Sequence, residues 1–173
     1  QADQVVVPSV ATREFVRETY DVDCAVVSNP IVGPPQGVSK PPRPDLSAPI
    51  LVYVGRLGKE KSLPLLIRAF SLVRKKMPAS LVLVGDGPER EHLEELAEAL
   101  RVERYITFTG FLPYQEVSEW YQRATVFVFS SEKETQGMVM LEALAHGVPV
   151  VAVRSEASEA IFNVCRAGCI TES

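Results

Sequence analysis

An α/β fold, a Rossmann-like doubly wound parallel sheet, is predicted by two features of the sequence. From residue 50 onward, short β-branched and aliphatic runs alternate with stretches whose apolar positions recur at helical spacing. The runs are apolar without alternation, Ile50–Val54 being the clearest. That pattern belongs to strands buried on both faces, so the sheet is expected to be covered on both sides.

In chain order, Val5–Val7 and Ala25–Val27 are short β-branched runs flanking a helical stretch from Ala11 to Tyr20. A connector follows, holding Pro30, Pro34, Pro35, Pro41, Pro42, Pro44 and Pro49, seven of the 13 prolines. Proline removes backbone donors and fixes φ, which excludes regular helix or inner strand there. Ile50–Val54 is then the first strand of the regular pattern, and Leu63, Leu66, Ile67, Phe70 and Val73 mark a helix. Leu81–Val84 is a strand, and Leu93, Leu96, Ala97 and Leu100 a helix opened by Pro88. Tyr105–Thr109 is a strand, with a helix beginning near Pro113. Val126–Phe129 is a strand, Gly137–Ala145 a helix and Pro149–Val153 the last strand.

Composition narrows the function. With 46% hydrophobic and 23% charged residues in 173, the chain has the make-up of a soluble globular protein. A net charge of −4 and a pI near 5.3 give no electrostatic footprint for nucleic acid or an anionic membrane. No apolar run approaches the roughly 20 residues that span a bilayer, and no signal-peptide pattern opens the chain. Cys24, Cys165 and Cys169 lack metal-ligand spacing with His92 or His146, so free thiols in a reducing, cytoplasmic setting are expected. His92 and His146 read as a helix-surface and a helix-end residue. A start at Gln1 rather than Met suggests a piece of something longer.

In doubly wound sheets ligands bind beyond the carboxyl ends of the strands, so the loops there carry the chemistry. After the first strand, Gly55-Arg56-Leu57-Gly58-Lys59-Glu60-Lys61 places three cations where a ligand would sit. Gly55 permits a sharp turn and a close approach. Arg56 and Lys61 are suited to clamping a phosphate, one as a planar fork and the other as a point charge. The spacing fails the Walker A test, and a solvated basic loop paired with Glu60 is the alternative. Gly85-Asp86-Gly87-Pro88 is not the dinucleotide fingerprint; it reads as a tight turn into a helix. Gly110-Phe111-Leu112-Pro113 offers an aromatic that could line a pocket for a base, or a packed turn.

The segment after the fourth of these strands is the most informative. Ser130-Ser131-Glu132-Lys133-Glu134-Thr135-Gln136-Gly137 leads into Met138-Val139-Met140-Leu141-Glu142-Ala143-Leu144-Ala145, a helix apolar nearly all round. Glu142 is its one charge, costly there unless something donates to it. A ribose, with two adjacent hydroxyls, would. The first amides of the helix, near Gly137, Met138 and Val139, lack intrahelical partners and form an anion site, with Gly137 removing a blocking side chain. A diphosphate at the helix start and a ribose one turn along fit this geometry, with Glu134 facing the group beyond the diphosphate. The alternatives are an internal salt bridge from Glu142 to Arg56 or Lys61, and a solvated loop acid for Glu134.

Four stretches in order, YVGRLGKEKSLPLLIRAF (Tyr53–Phe70), LVLVGDGPEREHL (Leu81–Leu93), ITFTGFLPYQEV (Ile106–Val117) and VFVFSSEKETQGMVMLEALAHGVPVVAV (Val126–Val153), resemble the family 4 retaining glycosyltransferases. ADQVVVPSVATREFV resembles the last strand and helix of that family's N-terminal domain. The resemblance implies a GT-B fold. Residues 1–44 would be the end of the acceptor-side domain and a hinge, and 45–173 the donor nucleotide-sugar domain, truncated at its C-terminus. It implies that Arg56 and Lys61 hold the diphosphate of a UDP- or GDP-sugar and stabilise the departing nucleotide, that Glu134 touches the transferred sugar and that Glu142 binds the ribose. Arg56, Lys61 and Glu134 are thus the catalytic candidates, with Gly55, Phe111, Gly137, Met138, Val139 and Glu142 binding substrate. No metal or other cofactor is expected, and Asp21-Val22-Asp23, though it has the Asp-x-Asp form of a metal motif, is set aside by its position before the connector. The implied partners are the nucleotide diphosphate sugar and an N-terminal domain of the same protein, with no nucleic acid. The Glu-Thr-Gln-Gly form hints at a lipid acceptor and a peripheral membrane position. Ser62 stands where the family commonly has glycine, Gln136 where phenylalanine is frequent, and Arg154–Ser158 lacks the family's glycine-rich turn. The fragment alone is expected to bind nucleotide without transferring sugar. The competing functions are a non-catalytic nucleotide-binding or interaction module of the same fold, and a sugar-nucleotide epimerase.

Overall fold

The computed structural model describes residues 5–31, 33, 48–164 and 168–172, apart from the side chains of Ala11 and Val164. Prolines 34 to 44, the 44/45 domain boundary and Cys165 lie outside the described residues.

Two parallel strands, β1 (Val5–Val7) and β2 (Cys24–Val26), flank α1 (Val10–Tyr20). The Ser9 hydroxyl caps α1 by accepting from the Thr12 amide at 3.1 Å. Asp21, in the left-handed conformation, closes it, and Asp23 accepts from the Cys24 amide. The Asp-x-Asp stretch therefore serves the local chain.

The remaining elements build one sheet. They are β3 (Ile50–Val54), α2 (Leu63–Lys76), β4 (Ser80–Val84), α3 (Arg90–Ala99), β5 (Ile106–Gly110), α4 (Tyr114–Arg123) and β6 (Val126–Phe129). After these come α5 (Met138–Ala145), β7 (Val150–Val153), α6 (Glu156–Val164) and β8 (Gly168–Thr171). All six strands run parallel in the order β5-β4-β3-β6-β7-β8. The chain winds outward from β3 to β5, then returns to place β6 on the other side of β3. The expected doubly wound sheet is present, and its switch point lies between β3 and β6.

The core follows the register. Val52 lies beside Phe127 and Phe127 beside Val150, so these three form one buried row. Tyr121 of α4 packs on Phe127 with ring centroids 5.8 Å apart. On the opposite face α2 contributes Leu66, Ile67 and Phe70 to the core. Over β6 and β7 the α2 face is open: a groove of 330 Å³ is lined by Val126, Val128, Val151 and Val153, with Val151 38% exposed. The expectation of two covered faces therefore fails there among the described residues.

Element boundaries also shift. Tyr105 ends a 3-10 turn rather than starting β5, β2 begins at Cys24, and Gly137 and Pro149 precede their elements. α6 and β8 lie beyond the last element that the sequence pattern marks. β8 carries Gly168, Cys169 and Thr171 and is mostly exposed at the sheet edge, so it gives no continuous apolar run.

Candidate functional site

The loops leaving β3 and β6 meet at the switch point. The β3 loop is laced to the loop after β4 by main-chain hydrogen bonds: Gly55 N to Val84 O at 2.9 Å, Leu57 N to Asp86 O at 2.9 Å and Glu89 N to Leu57 O at 3.0 Å. A Cβ at Gly85 or Gly87 would collide with the carbonyl oxygen of Gly55 or Leu57. The Gly-Asp-Gly sequence thus permits two loop backbones to touch, which extends its reading as a tight turn. Tyr53, fully buried, donates its hydroxyl to Arg56 O at 3.1 Å and so fixes the carbonyl beside the Arg56 side chain. Burial, with Glu60 and Glu134 nearby, pushes the Tyr53 phenol well above its ordinary range, so it stays a donor.

Two hydroxyls that sequence reasoning did not single out join the loops. Ser130 donates to Lys61 O at 2.7 Å and Ser131 to Glu60 O at 2.9 Å, both serines being buried. Their one sequence signal is position: adjacent hydroxyls directly after a buried strand need acceptors. They hold the 3-10 turn Lys59–Lys61 against β6. Ser62 then takes φ 50°, a left-handed backbone that accounts for a glycine preference at this place.

Across the switch point, Lys61 Nζ and Glu134 Oε2 form an ion pair at 2.9 Å. Glu134 Oε1 accepts from the amides of Gly137 at 3.1 Å and Gln136 at 3.4 Å. Burial alone raises the Glu134 carboxyl. The Lys61 hydrogen bond, the Gly137 amide, the Lys61 charge and the Gln136 amide outweigh it and bring the group below its ordinary value. The picture of a solvated loop acid is therefore corrected. So is the free anion site at Gly137, whose amide already holds Glu134. Gly137 is also not glycine in order to clear space for a ligand. It has φ 67°, and a Cβ there would collide with Met140 Cε and crowd Ile161 and Ala157. The amides of Met138 and Val139, first in α5, have no hydrogen-bond acceptor among the described residues.

Glu142 pairs with neither Arg56 nor Lys61. Its Oε2 accepts from Tyr121 Oη at 3.1 Å, and no described donor reaches Oε1. Burial raises its carboxyl above the ordinary value, opposed by the Tyr121 hydrogen bond and by His146. α5 is less buried than its sequence suggested: Met140 and Ala143 are buried, while most other positions, Glu142 included, are partly exposed. His146 is more than a helix-end residue. It is buried, with Nδ1 donating to Glu142 O at 2.8 Å and Nε2 2.9 Å from Ser118 Oγ.

Arg56 is exposed and makes no ion pair among the described residues. Phe111 is not brought to the cluster: it is 80% exposed after the edge strand β5, roughly 10 Å of sheet from β3. Beside the ion pair, Lys59, Glu60, Ser62, Glu132 and Lys133 line a hollow of 440 Å³. A second cleft, of 470 Å³, separates the β1–α1–β2 unit from the start of α5 and includes Met138. Gln136 bridges it, donating to Pro8 O at 2.6 Å and accepting from Asn29 Nδ2 at 2.9 Å. Among the described residues no group of three or more His, Cys, Asp and Glu is placed to hold a metal, and no helix is long and apolar enough to cross a membrane.

Comparison with known proteins places these features. A family model described as "Glycosyl transferases group 1" matches residues 38–171. The sulfoquinovosyl transferase SQD2 of Arabidopsis thaliana is 44% identical over 108 residues, 62% of this chain and 20% of that protein. The alpha-monoglucosyldiacylglycerol synthase of Acholeplasma laidlawii is 38% identical over 103 residues, 59% of this chain and 26% of that one. The chain thus spans a fifth to about a quarter of these relatives' length. Among solved structures, the lipopolysaccharide outer core galactosyltransferase WaaB superposes with a TM-score of 0.73 at 25% identity, over 99% of this chain and 49% of that one.

Proposed function

The chain belongs to the group 1 glycosyltransferases, and on that premise we propose that it is the donor-binding domain of a retaining glycosyltransferase using a UDP- or GDP-type nucleotide sugar. The observation that carries the reading is the meeting of Lys61 and Glu134 across the β3/β6 switch point, beside the unpartnered amides of Met138 and Val139. The diphosphate lies against those amides, with Arg56 and Lys61 neutralising its charge. As the bond between the sugar's anomeric carbon and the β-phosphate oxygen breaks, its electron pair goes to the diphosphate, whose growing charge the two cations stabilise. The acceptor's hydroxyl oxygen bonds the anomeric carbon on the same face, and its proton passes to the departing phosphate oxygen. This reading needs no metal. Glu134 faces the transferred sugar, and the open Oε1 of Glu142 accepts from the ribose hydroxyls. The acceptor is a lipid of the diacylglycerol class, in keeping with the product named for the 38%-identical synthase, and it is presented by an N-terminal domain of the same protein. The 173 residues alone bind nucleotide without transferring sugar.

Calorimetry with UDP and with GDP tests the site. The parent chain is expected to bind one of them, with Arg56→Ala and Glu142→Ala each weakening it by about tenfold. Equal affinity in variants and parent refutes the assignment. Incubating the full-length protein with a UDP- or GDP-sugar and diacylglycerol vesicles tests the reaction: a glycolipid of unchanged anomeric configuration is expected, and an inverted product or an epimerised donor sinks it.

A further inference from the structure

Tyr121 of α4 is fully buried, and its hydroxyl has two acceptors: Glu142 Oε2 at 3.1 Å and Val139 O at 3.4 Å. A phenylalanine would fill the same space without a polar atom, and a buried hydroxyl is unfavourable unless it is bonded. Of the two acceptors the carboxylate is nearer and charged, which makes it the stronger partner. The ring cannot swing away, being held between Phe127, 5.8 Å between centroids, and His146, 4.9 Å.

The second hold is on the main chain. His146 Nδ1 donates to the carbonyl of Glu142, and its Nε2 meets Ser118 Oγ, which also accepts from Gln122 Nε2 at 3.4 Å. α4 therefore grips Glu142 directly at the carboxylate and through His146 at the carbonyl. A glutamate on a partly exposed helix has three free side-chain torsions, and pinning Oε2 leaves Oε1 pointing one way.

We infer that Tyr121 is the positioning residue of Glu142, fixing one carboxylate oxygen so that the other is presented to the ribose hydroxyls of the nucleotide. This rests on the reading of Glu142 as the ribose acceptor. Among the described residues, the titratable groups facing Glu142 are Tyr121 and Tyr114 from α4 and His146 at the end of α5. No lysine or arginine among the described residues forms an ion pair with it, so the Tyr121 hydrogen bond is the main support of its charged form. Burial and the nearby carboxylate hold the Tyr121 phenol far above its ordinary range, so it remains a donor wherever the protein is folded.

The test measures UDP and GDP affinity of the chain by calorimetry from pH 5 to 8. In Tyr121→Phe the affinity should fall roughly three- to tenfold, the scale of one net hydrogen bond. The pH below which binding fades should also move up, because Glu142 loses the donor that favours its ionised form. Glu142→Gln should leave only the pH dependence of the nucleotide's own terminal phosphate, and Tyr121→Phe added to it should neither shift that profile nor cost anything more. Placing 3-fluorotyrosine at 121, a stronger donor of nearly the same shape, should move the midpoint down, which also answers the case in which Tyr121→Phe folds poorly. Parental affinity and midpoint in both Tyr121 variants, or a full additional loss in the double variant, overturns the positioning role. Parental affinity in Glu142→Gln, or no binding of either nucleotide by the parent, overturns the underlying reading instead.

Discussion

Glu134 and Glu142 lie on one loop-helix segment, yet their surroundings move their carboxyls in opposite directions. Glu134, held by Lys61 and two amides, is lowered, so its contribution to stability is complete above the ordinary carboxylate range and is lost as pH falls through its depressed value. Glu134→Gln should cost about 1 kcal/mol at neutral pH, measured by urea unfolding. It also releases Lys61 from its ion pair, so UDP or GDP should bind a few-fold more tightly; calorimetry showing weaker binding would contradict this competition. Glu142 is raised, so the folded state favours its protonated form, and its ionisation lowers stability as pH rises through that raised value. Glu142→Gln should leave the neutral-pH Tm unchanged or higher while weakening nucleotide binding, and a marked drop in Tm would mean that the ionised carboxylate stabilises the fold.

The turn between β3 and α2 carries a conflict between residue and backbone. Ser62 occupies a left-handed conformation, which costs a residue with a Cβ roughly 1 kcal/mol. Ser62→Gly should recover up to about that much, less the added entropy of a glycine in the unfolded chain, as a raised midpoint in urea. A clear loss of stability would mean that the hydroxyl matters more than the backbone. The neighbouring Gly-Asp-Gly loop was legible as a turn because glycine and proline mark one. That its glycines admit Gly55 and Leu57 was not legible, since the approach is between loops on different strands. α6 was missed although Ala157 and Ile161 stand one turn apart on its buried face, because Ser155 and Ser158 interrupt the apolar signal.

For the molecule as a whole, a ligand that binds only the folded state raises stability by mass action. At a hundred times its Kd, the preferred nucleotide should add about 2.7 kcal/mol, which for a chain of 173 residues is roughly 5–10 °C in Tm. A thermal melt with UDP and GDP checks it, and no shift with either contradicts the donor-domain reading. The site spans β3 and β6, so this stabilisation joins the two halves of the sheet at the point where they separate.

The sequence by itself determined the alternation of strands and helices, the parallel sheet and the loops that carry the charges. Those follow from hydrophobic periodicity and from glycine and proline, which act over a few residues. Only the tertiary structure decided partners. Lys61 meets Glu134 from 73 residues away, Glu142 takes Tyr121 rather than a cation, Gly137 serves packing and its own backbone, and Phe111 stands apart. Each outcome depends on strand order and register, which bring one particular loop or helix face beside another. Residue type fixes what a side chain can bond to, and the winding of the sheet fixes what lies within reach.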